Sequence, residues 1–244
     1  MPLPSPVAPR TAREHGRAQL TRAILEAGRR QLGEVGASAL SLRAVARELG
    51  LASSAVYRYY PSRNALLTAL IVEAYDAIGE AAERADAAAA AAGTGTGGRW
   101  LAVCQGVRAW ALAHPHEFAL VYGSPVPGYA APLDTVAPAS RVGLLLAQLM
   151  TRAAADGELR PPARPLRGPR LTTPAVVADS GGSPAPPYED LIERAIVLWI
   201  ALFGALTFEL FGHLNNVVTD YPAYFDVAMT VVAEAAGLEL PLPG

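Results

Sequence analysis

Apolar side chains recur at helical spacing along most of this chain. Between residues 10 and 32, Leu20, Ile24, Ala27 and Leu32 fall on one face, with Arg13, Arg17, Arg29 and Arg30 largely elsewhere. That pattern predicts an amphipathic helix, ended by Gly33 and Gly36. Ser41 is placed to cap a short helix, LRAVARELG, with Leu42, Val45, Ala46 and Leu49 inward and Gly50 as its stop. Ser53 is placed to cap a shorter one, SAVYRYY, ended by Pro61. A long helix is expected from about Ser62 through the alanine-rich run that precedes GTGTGG at 93–98, a break. Further helices are expected from Arg99 to about His114 and over 135–156, the latter stopped by Asp156 and Gly157. The segment between them, 115–134, reads as part helix and part loop. Two last helices, about 188–214 and 222–236, are apolar on more than one face. Nothing reads as a strand, so the fold class is all-α.

Two stretches break the pattern. Residues 1–9 are proline-rich and lack an apolar signal core, and are expected to be a disordered leader. Residues 160–187 are again proline-rich with few apolar anchors, and read as a flexible connection. The longest apolar run, AIVLWIALFGALTF at 195–208, lies between Arg194 and Glu209. It is shorter than the roughly 20 residues that cross a bilayer, so a buried helix and no membrane partner are expected.

Charge changes the picture more than composition does. The net charge of −2 over 244 residues hides an asymmetry. Residues 1–63 hold ten arginines against four glutamates, a net of +6, and the remainder ten arginines against eighteen acids, a net of −8. Only the front is suited to a polyanion. All twenty basic residues are arginine, which reflects genome composition rather than function. The single cysteine, Cys104, permits no intrachain disulfide and fits a reducing, cytoplasmic setting.

The two short helices, joined through Gly50, Leu51 and Ala52, have helix-turn-helix spacing. Ala46 must be small where the second helix crosses. Gly50 supplies the positive φ a tight turn needs. Val56, six residues on, fills the angle between the helices. With a basic helix before it, Tyr57-x-Tyr59-Tyr60 after it and Arg63 beyond, the stretch SLRAVARELGLASSAVYRYYPSRNALLTAL at 41–70 resembles the TetR family of transcriptional regulators. Three positions depart from the usual pattern: Ser54 stands for Gly, Tyr60 for Phe and Arg63 for Lys.

The resemblance implies a three-helix DNA-binding domain at 10–63 and a helical effector-binding and dimerisation domain at 64–244. It implies double-stranded DNA as partner, no cofactor and no enzymatic activity. Tyr57 and Tyr59 are then expected at phosphates, with Ser41, Arg43 and Arg63 adding contacts from helix starts. Such contacts set register and carry no sequence information. Base reading falls to Ala52, Ser53, Ser54, Ala55 and Arg58. Arg58 alone among these can grip a guanine with two hydrogen bonds. Tyr60 is expected to pack inward.

The larger half has more apolar helix surface than one core needs, and Ala201, Gly204, Ala205 and Gly212 permit close helix approach. A homodimer seam through the helices at about 188–214 and 222–236 is expected. The segments 112–132 and 198–214 resemble the TetR subgroup named for a Trp-His-Gly signature, with Trp199 and Gly204 matching and Phe203 replacing the His. Candidate effector-pocket residues are Trp110, Phe118, Tyr122, Trp199, Phe203 and Phe208, which suit an apolar or aromatic small molecule. His114 and His116 flank Pro115 and read as a helix-ending turn rather than a metal site. His213 reads as a satisfied core residue and Cys104 as a buried small hydrophobe. The function expected is a ligand-released repressor on a palindromic operator. Two alternatives are an all-helical enzyme on an apolar substrate, which needs clustered acids or a nucleophile and base that the sequence does not offer, and a DNA-binding activator without a small ligand.

Overall fold

The structure, a computed structural model, describes residues 12–161, 171–182 and 184–240. The expected leader at 1–9 lies outside the described residues. Ten α-helices succeed one another among the described residues: α1 Ala12–Val35, α2 Leu42–Glu48, α3 Ser53–Tyr57, α4 Arg63–Ala91, α5 Thr96–Ala113, α6 Pro115–Tyr122, α7 Val136–Asp156, α8 Pro174–Asp179, α9 Leu191–Leu210 and α10 Tyr221–Ala235. Short 3-10 turns lie at Ala37–Ala39 and Leu133–Thr135. The extended backbone among the described residues includes a single isolated bridge, Leu159 to Leu238. The protein is all-α, with a helix-turn-helix group early in the chain and a helical body after it.

The helices form two compact units. The first holds the chain up to Ile71 together with Pro125–Ala131, and the second holds Val72–Ser124 and everything from Pro132 onward. In the first unit α1 runs through Gly33 to Val35 and stops before Gly36, so it is longer than the sequence pattern predicts. Its inward face is Ile24, Ala27 and Leu32, joined by Leu66, Leu67 and Leu70 of α4, all buried. The short segment 125–131 packs on the same unit. The Tyr129 hydroxyl is 3.0 Å from Thr68 Oγ1, and Asn64 Nδ2 donates to the Gly128 carbonyl at 3.3 Å.

The second unit is built around α5, α7, α9 and α10. Trp100, Val107, Leu146, Met150, Leu202 and Met229 are among its fully buried side chains. The Trp100 indole satisfies its N–H on the Met229 carbonyl at 3.0 Å. Two arginines are buried with it. Arg108 makes a two-pronged pair with Glu209, at 2.9 and 2.5 Å, and lies over the Phe225 ring. Arg99 does the same with Asp86, at 2.7 Å twice. The Arg108 and Glu209 side chains are only 11% and 10% exposed. Each charge is therefore tolerable only because the other is present. Helix α9 is twenty residues long and includes an eighteen-residue stretch of mean hydropathy 1.9, long and apolar enough by that measure to cross a membrane. The expectation of a run too short for this is corrected: the helix extends past the apolar run at both ends. It carries Glu193, Arg194 and Glu209, and it is half-buried rather than buried.

The segment after α7 ties the unit together. Gly157 ends that helix, and the next three residues meet the C-terminal stretch, with Arg160 N–H on the Gly237 carbonyl at 2.8 Å. Glu158 reaches back to accept the Thr96 amide at 2.6 Å. It thus caps α5, whose own N-cap is Gly95 and has no side chain to do so. Gly97 lets the C-terminal stretch pass, since a Cβ there would lie 2.1 Å from the Glu239 carbonyl oxygen. Residues 171–182 depart from the expected flexible connection. Thr173 caps α8, and Glu193 of α9 accepts from Leu171 N and Thr172 Oγ1.

Two of these contacts can be tested by their effect on stability. The bond to Thr96 holds the Glu158 carboxyl below its ordinary value. Its contribution to stability is therefore present above the ordinary glutamate pKa and lost as pH falls through the depressed one. Glu158→Ala should cost about 1 kcal/mol at neutral pH, with the deficit closing in acid, as read from urea melts across pH. Arg108→Met should cost about 3–5 kcal/mol by stranding Glu209, and adding Glu209→Leu should recover most of it; calorimetry of the single and double variants checks this.

Candidate nucleic-acid interface

The site is assembled from the end of α1 to the start of α4. Ser41 opens α2, its Oγ accepting the Ala44 amide at 3.4 Å. Its own amide is held from below by Gln31 of α1, whose Oε1 accepts it at 3.0 Å. Leu42, Val45 and Ala46 face inward and are buried. The helix then ends in two reversed bonds, Leu51 N–H to the Ala46 carbonyl at 2.8 Å and Gly50 N–H to the Arg47 carbonyl at 3.2 Å. This is the Schellman pattern, and it needs a left-handed residue. Gly50 sits there at φ 66°. The turn delivers α3 across α2, with Val56 fully buried in the angle and Ala46 at 1% exposure beneath it.

One local expectation is corrected. Ser53 is the first residue of α3, not its cap; Ala52 holds the cap position and has no side chain to serve it. The helix also ends at Tyr57, and the amides of Tyr59 and Tyr60 both turn back to the Val56 carbonyl.

The predicted contact residues divide by exposure. Arg43, Ala52, Ser54, Tyr57 and Arg58 are exposed, whereas Ser41, Ser53, Ala55 and Tyr59 are half-buried. Tyr60 is half-buried rather than sealed in the core. Arg43 and Arg58 make no ion pair with a carboxylate among the described residues, while Arg30 on α1 pairs with Glu48 at 2.6 Å. Arg63 differs from expectation. Its Nη2 donates to the carbonyls of Ala37 and Ser38, at 2.6 and 3.1 Å, in the turn between α1 and α2. Ser62 caps α4 through the Ala65 amide. Gln31 was not singled out by sequence reasoning; a glutamine on the inward face of an apolar stripe was the available signal.

The candidate effector residues separate into two groups. Phe118, Tyr122, Trp199 and Phe203 come together in the second unit, with Tyr122 stacked on Phe203 at 4.1 Å and Trp199 edge-on to Phe203 at 6.1 Å. Tyr75 and Phe211, not predicted, join them against Tyr122 and Phe118. Burial, followed by the nearby Tyr75, pushes the Tyr122 phenol up. The Trp199 indole N–H lies near enough to oppose that shift. It makes no hydrogen bond of good geometry, however, and is buried without a partner. Trp110 stacks instead on His114, and Phe208 is 52% exposed against His213, so neither belongs to the cluster. His213 is exposed, not a core residue. His114 does end α5, bonded to the Trp110 carbonyl, and Pro115 opens α6. Cys104 is buried, and burial pushes its thiol up.

A basic helix-turn-helix with an exposed second helix defines a DNA-binding protein. Comparison with known proteins makes the class specific. Residues 24–70 match the model for bacterial regulatory proteins of the tetR family, and residues 100–232 match the tetracyclin repressor-like C-terminal domain. HTH-type transcriptional regulators of Mycobacterium tuberculosis and Mycobacterium bovis are 37% identical over 218 residues, covering 88% of this chain and 91% of theirs. The crystal structure of the regulatory protein SCO4313 is 31% identical, with TM-score 0.68 over 92% of this chain and 100% of that one. A Rhodococcus sp. RHA1 structure shares the fold at 23% identity, with TM-score 0.67 over 96% of this chain and 100% of that one. The chain belongs to the TetR family of DNA-binding transcriptional regulators, a non-enzymatic class. The finer Trp-His-Gly subgroup is not carried by these matches.

Gly50→Ala would force a Cβ into the left-handed region at about 1–2 kcal/mol. Hydrogen exchange should then show residues 42–57 opening ahead of the rest of the chain.

Proposed function

We propose that this regulator is a homodimeric, cytoplasmic repressor, released from a palindromic operator by a small apolar or aromatic effector. The observation that carries the reading is an unpartnered apolar face on the last two long helices. Val197, Ile200 and Phe208 of α9, and Tyr224, Val227 and Val231 of α10, are each 46–60% exposed. Their spacing of three, four and eight residues puts them on one stripe of each helix. Between Ile200 and Phe208 lies Gly204, where a Cβ would meet nothing within 4 Å. Solvent-facing apolar stripes on two packed helices mark an association surface. A second copy would complete a four-helix seam, worth about 25 cal/mol per Å² removed from water.

Two heads would then address successive major grooves. In this reading Ser41, Arg43, Tyr57 and Tyr59 hold phosphates, while Ala52, Ser53, Ser54, Ala55 and Arg58 face the bases. The aromatic cluster of Phe118, Tyr122, Trp199 and Phe203 is the proposed effector site, and the unsatisfied Trp199 indole would favour a ligand offering one acceptor atom. Effector and operator must weaken each other by the same factor, and about 1.4 kcal/mol of coupling gives tenfold release.

Selection from a random duplex library should return a short palindrome whose affinity falls steeply with salt. Arg58→Ala should blunt discrimination at one base pair by about 1–3 kcal/mol. In sedimentation the chain should run as a dimer and Val227→Glu with Ile200→Glu as a monomer. A monomeric parent chain that still selects a palindrome would overturn the assembly.

A further inference from the structure

We propose that Arg63 serves DNA binding as a positioning residue, locking the turn that aims α2, and not as a phosphate contact. The inference rests on the chain being a DNA-binding regulator. Residue 63 opens a long helix and carries a positive charge, so its sequence position alone would put it on the DNA backbone. The geometry puts its guanidinium elsewhere. One nitrogen, Nη2, donates to two successive carbonyls, Ala37 and Ser38. A second, Nε, is buried inside the unit with no partner. Nη2 is thereby committed to the carbonyls rather than to a phosphate.

The held turn sets the direction in which α2 leaves the core. Ala37 and Ser38 belong to the single 3-10 turn that joins α1 to α2. Two residues later Leu40 anchors in the core at 3% exposure, and Ser41 begins the cap of α2. Ser41 N–H is fixed on Gln31, itself 5% exposed. The approach to α2 is therefore gripped at both ends, by Arg63 at residues 37 and 38 and by Gln31 at residue 41. Ser38 and Ala39 are themselves exposed, so nothing apolar holds that part of the turn. Without the guanidinium this part of the turn loses its hold, and the entry to Ser41 and exposed Arg43 rests on Leu40 and Gln31 alone. Arg63 thus acts through Arg43 and Ser41.

The chemistry gives a clean separation from the phosphate role. Lysine keeps the charge, but its ammonium ends one bond short of the place Nη2 holds between the two carbonyls and sits on a flexible stem. A phosphate contact survives Arg63→Lys. A clamp does not. Each phosphate contact also contributes about 0.9 to the slope of log affinity against log salt.

The test uses the full chain and a duplex it selects from a random library, with circular dichroism confirming that each variant is folded at the assay temperature. Arg63→Lys and Arg63→Gln should each weaken binding about tenfold, the effect of losing one charge-assisted bond. Exchange at the Leu40 and Ser41 amides should quicken in both. Arg43→Gln should lower the slope by about 0.9 in the parent, and should cost less in the Arg63→Gln background. The proposal is overturned if folded Arg63→Lys binds like the parent, or if the losses from Arg63→Gln and Arg43→Gln are additive. A parent chain that selects no duplex removes instead the DNA-binding reading beneath it.

Discussion

The reading head exists because α2 and α3 can approach closely at one point. That approach requires a side chain no larger than Ala46 on the lower helix and a backbone reversal that only Gly50 makes without strain. Val56 then fills the angle and leaves no room for slippage. Because α3 is only five residues long, it has no stability of its own. Its orientation is inherited from this contact, and so is the outward direction of Ser54, Tyr57 and Arg58. Whatever these side chains do on DNA depends on that small crossing.

Arginine is used in two opposite ways in this molecule. In the second unit Arg99 and Arg108 are sunk among apolar side chains and neutralised by Asp86 and Glu209. Each presents a planar fork to a carboxylate, an arrangement lysine could not copy. In the first unit Arg43 and Arg58 stay at the surface, and their charge is left to act on what lies outside. Both parts hold ten arginines, so the sequence asymmetry, +6 in front against −8 behind, lies in the acids, four against eighteen. Arg63 stands between the two uses of arginine, a surface-proximal charge spent on backbone carbonyls.

Much of the first unit was legible from residues alone. Ser41, Ala46, Gly50 and Val56 each have one physical role that the residue type nearly dictates, and each plays it. The cap of α3 was not legible, because Ser53 and Ala52 are adjacent and the side chain that could cap is one position too late. The bonds of Arg63 to the turn were not legible, because its partners are carbonyls twenty-five and twenty-six residues away, and carbonyls leave no trace in a sequence. In the second unit, the helical period placed Phe118, Tyr122, Trp199 and Phe203 on apolar faces. It could not say that Phe208, on the same helix as Phe203, turns outward. Nor could it show that Glu158 caps a helix sixty-two residues earlier. Such pairings are set by tertiary packing, to which periodicity is blind.

The short stretch 125–131 belongs by packing to the unit that reads DNA, although the chain reaches it only after passing through the body. Tyr129 and Gly128 meet Thr68 and Asn64 there. The head is therefore not a module that ends where its sequence motif ends. Grafting residues 1–71 onto a relative's body would leave the graft facing a foreign loop at the first turns of α4. Exchange of heads among such regulators, whether by recombination or by engineering, has to carry this distant fragment along or find a body whose own loop already matches.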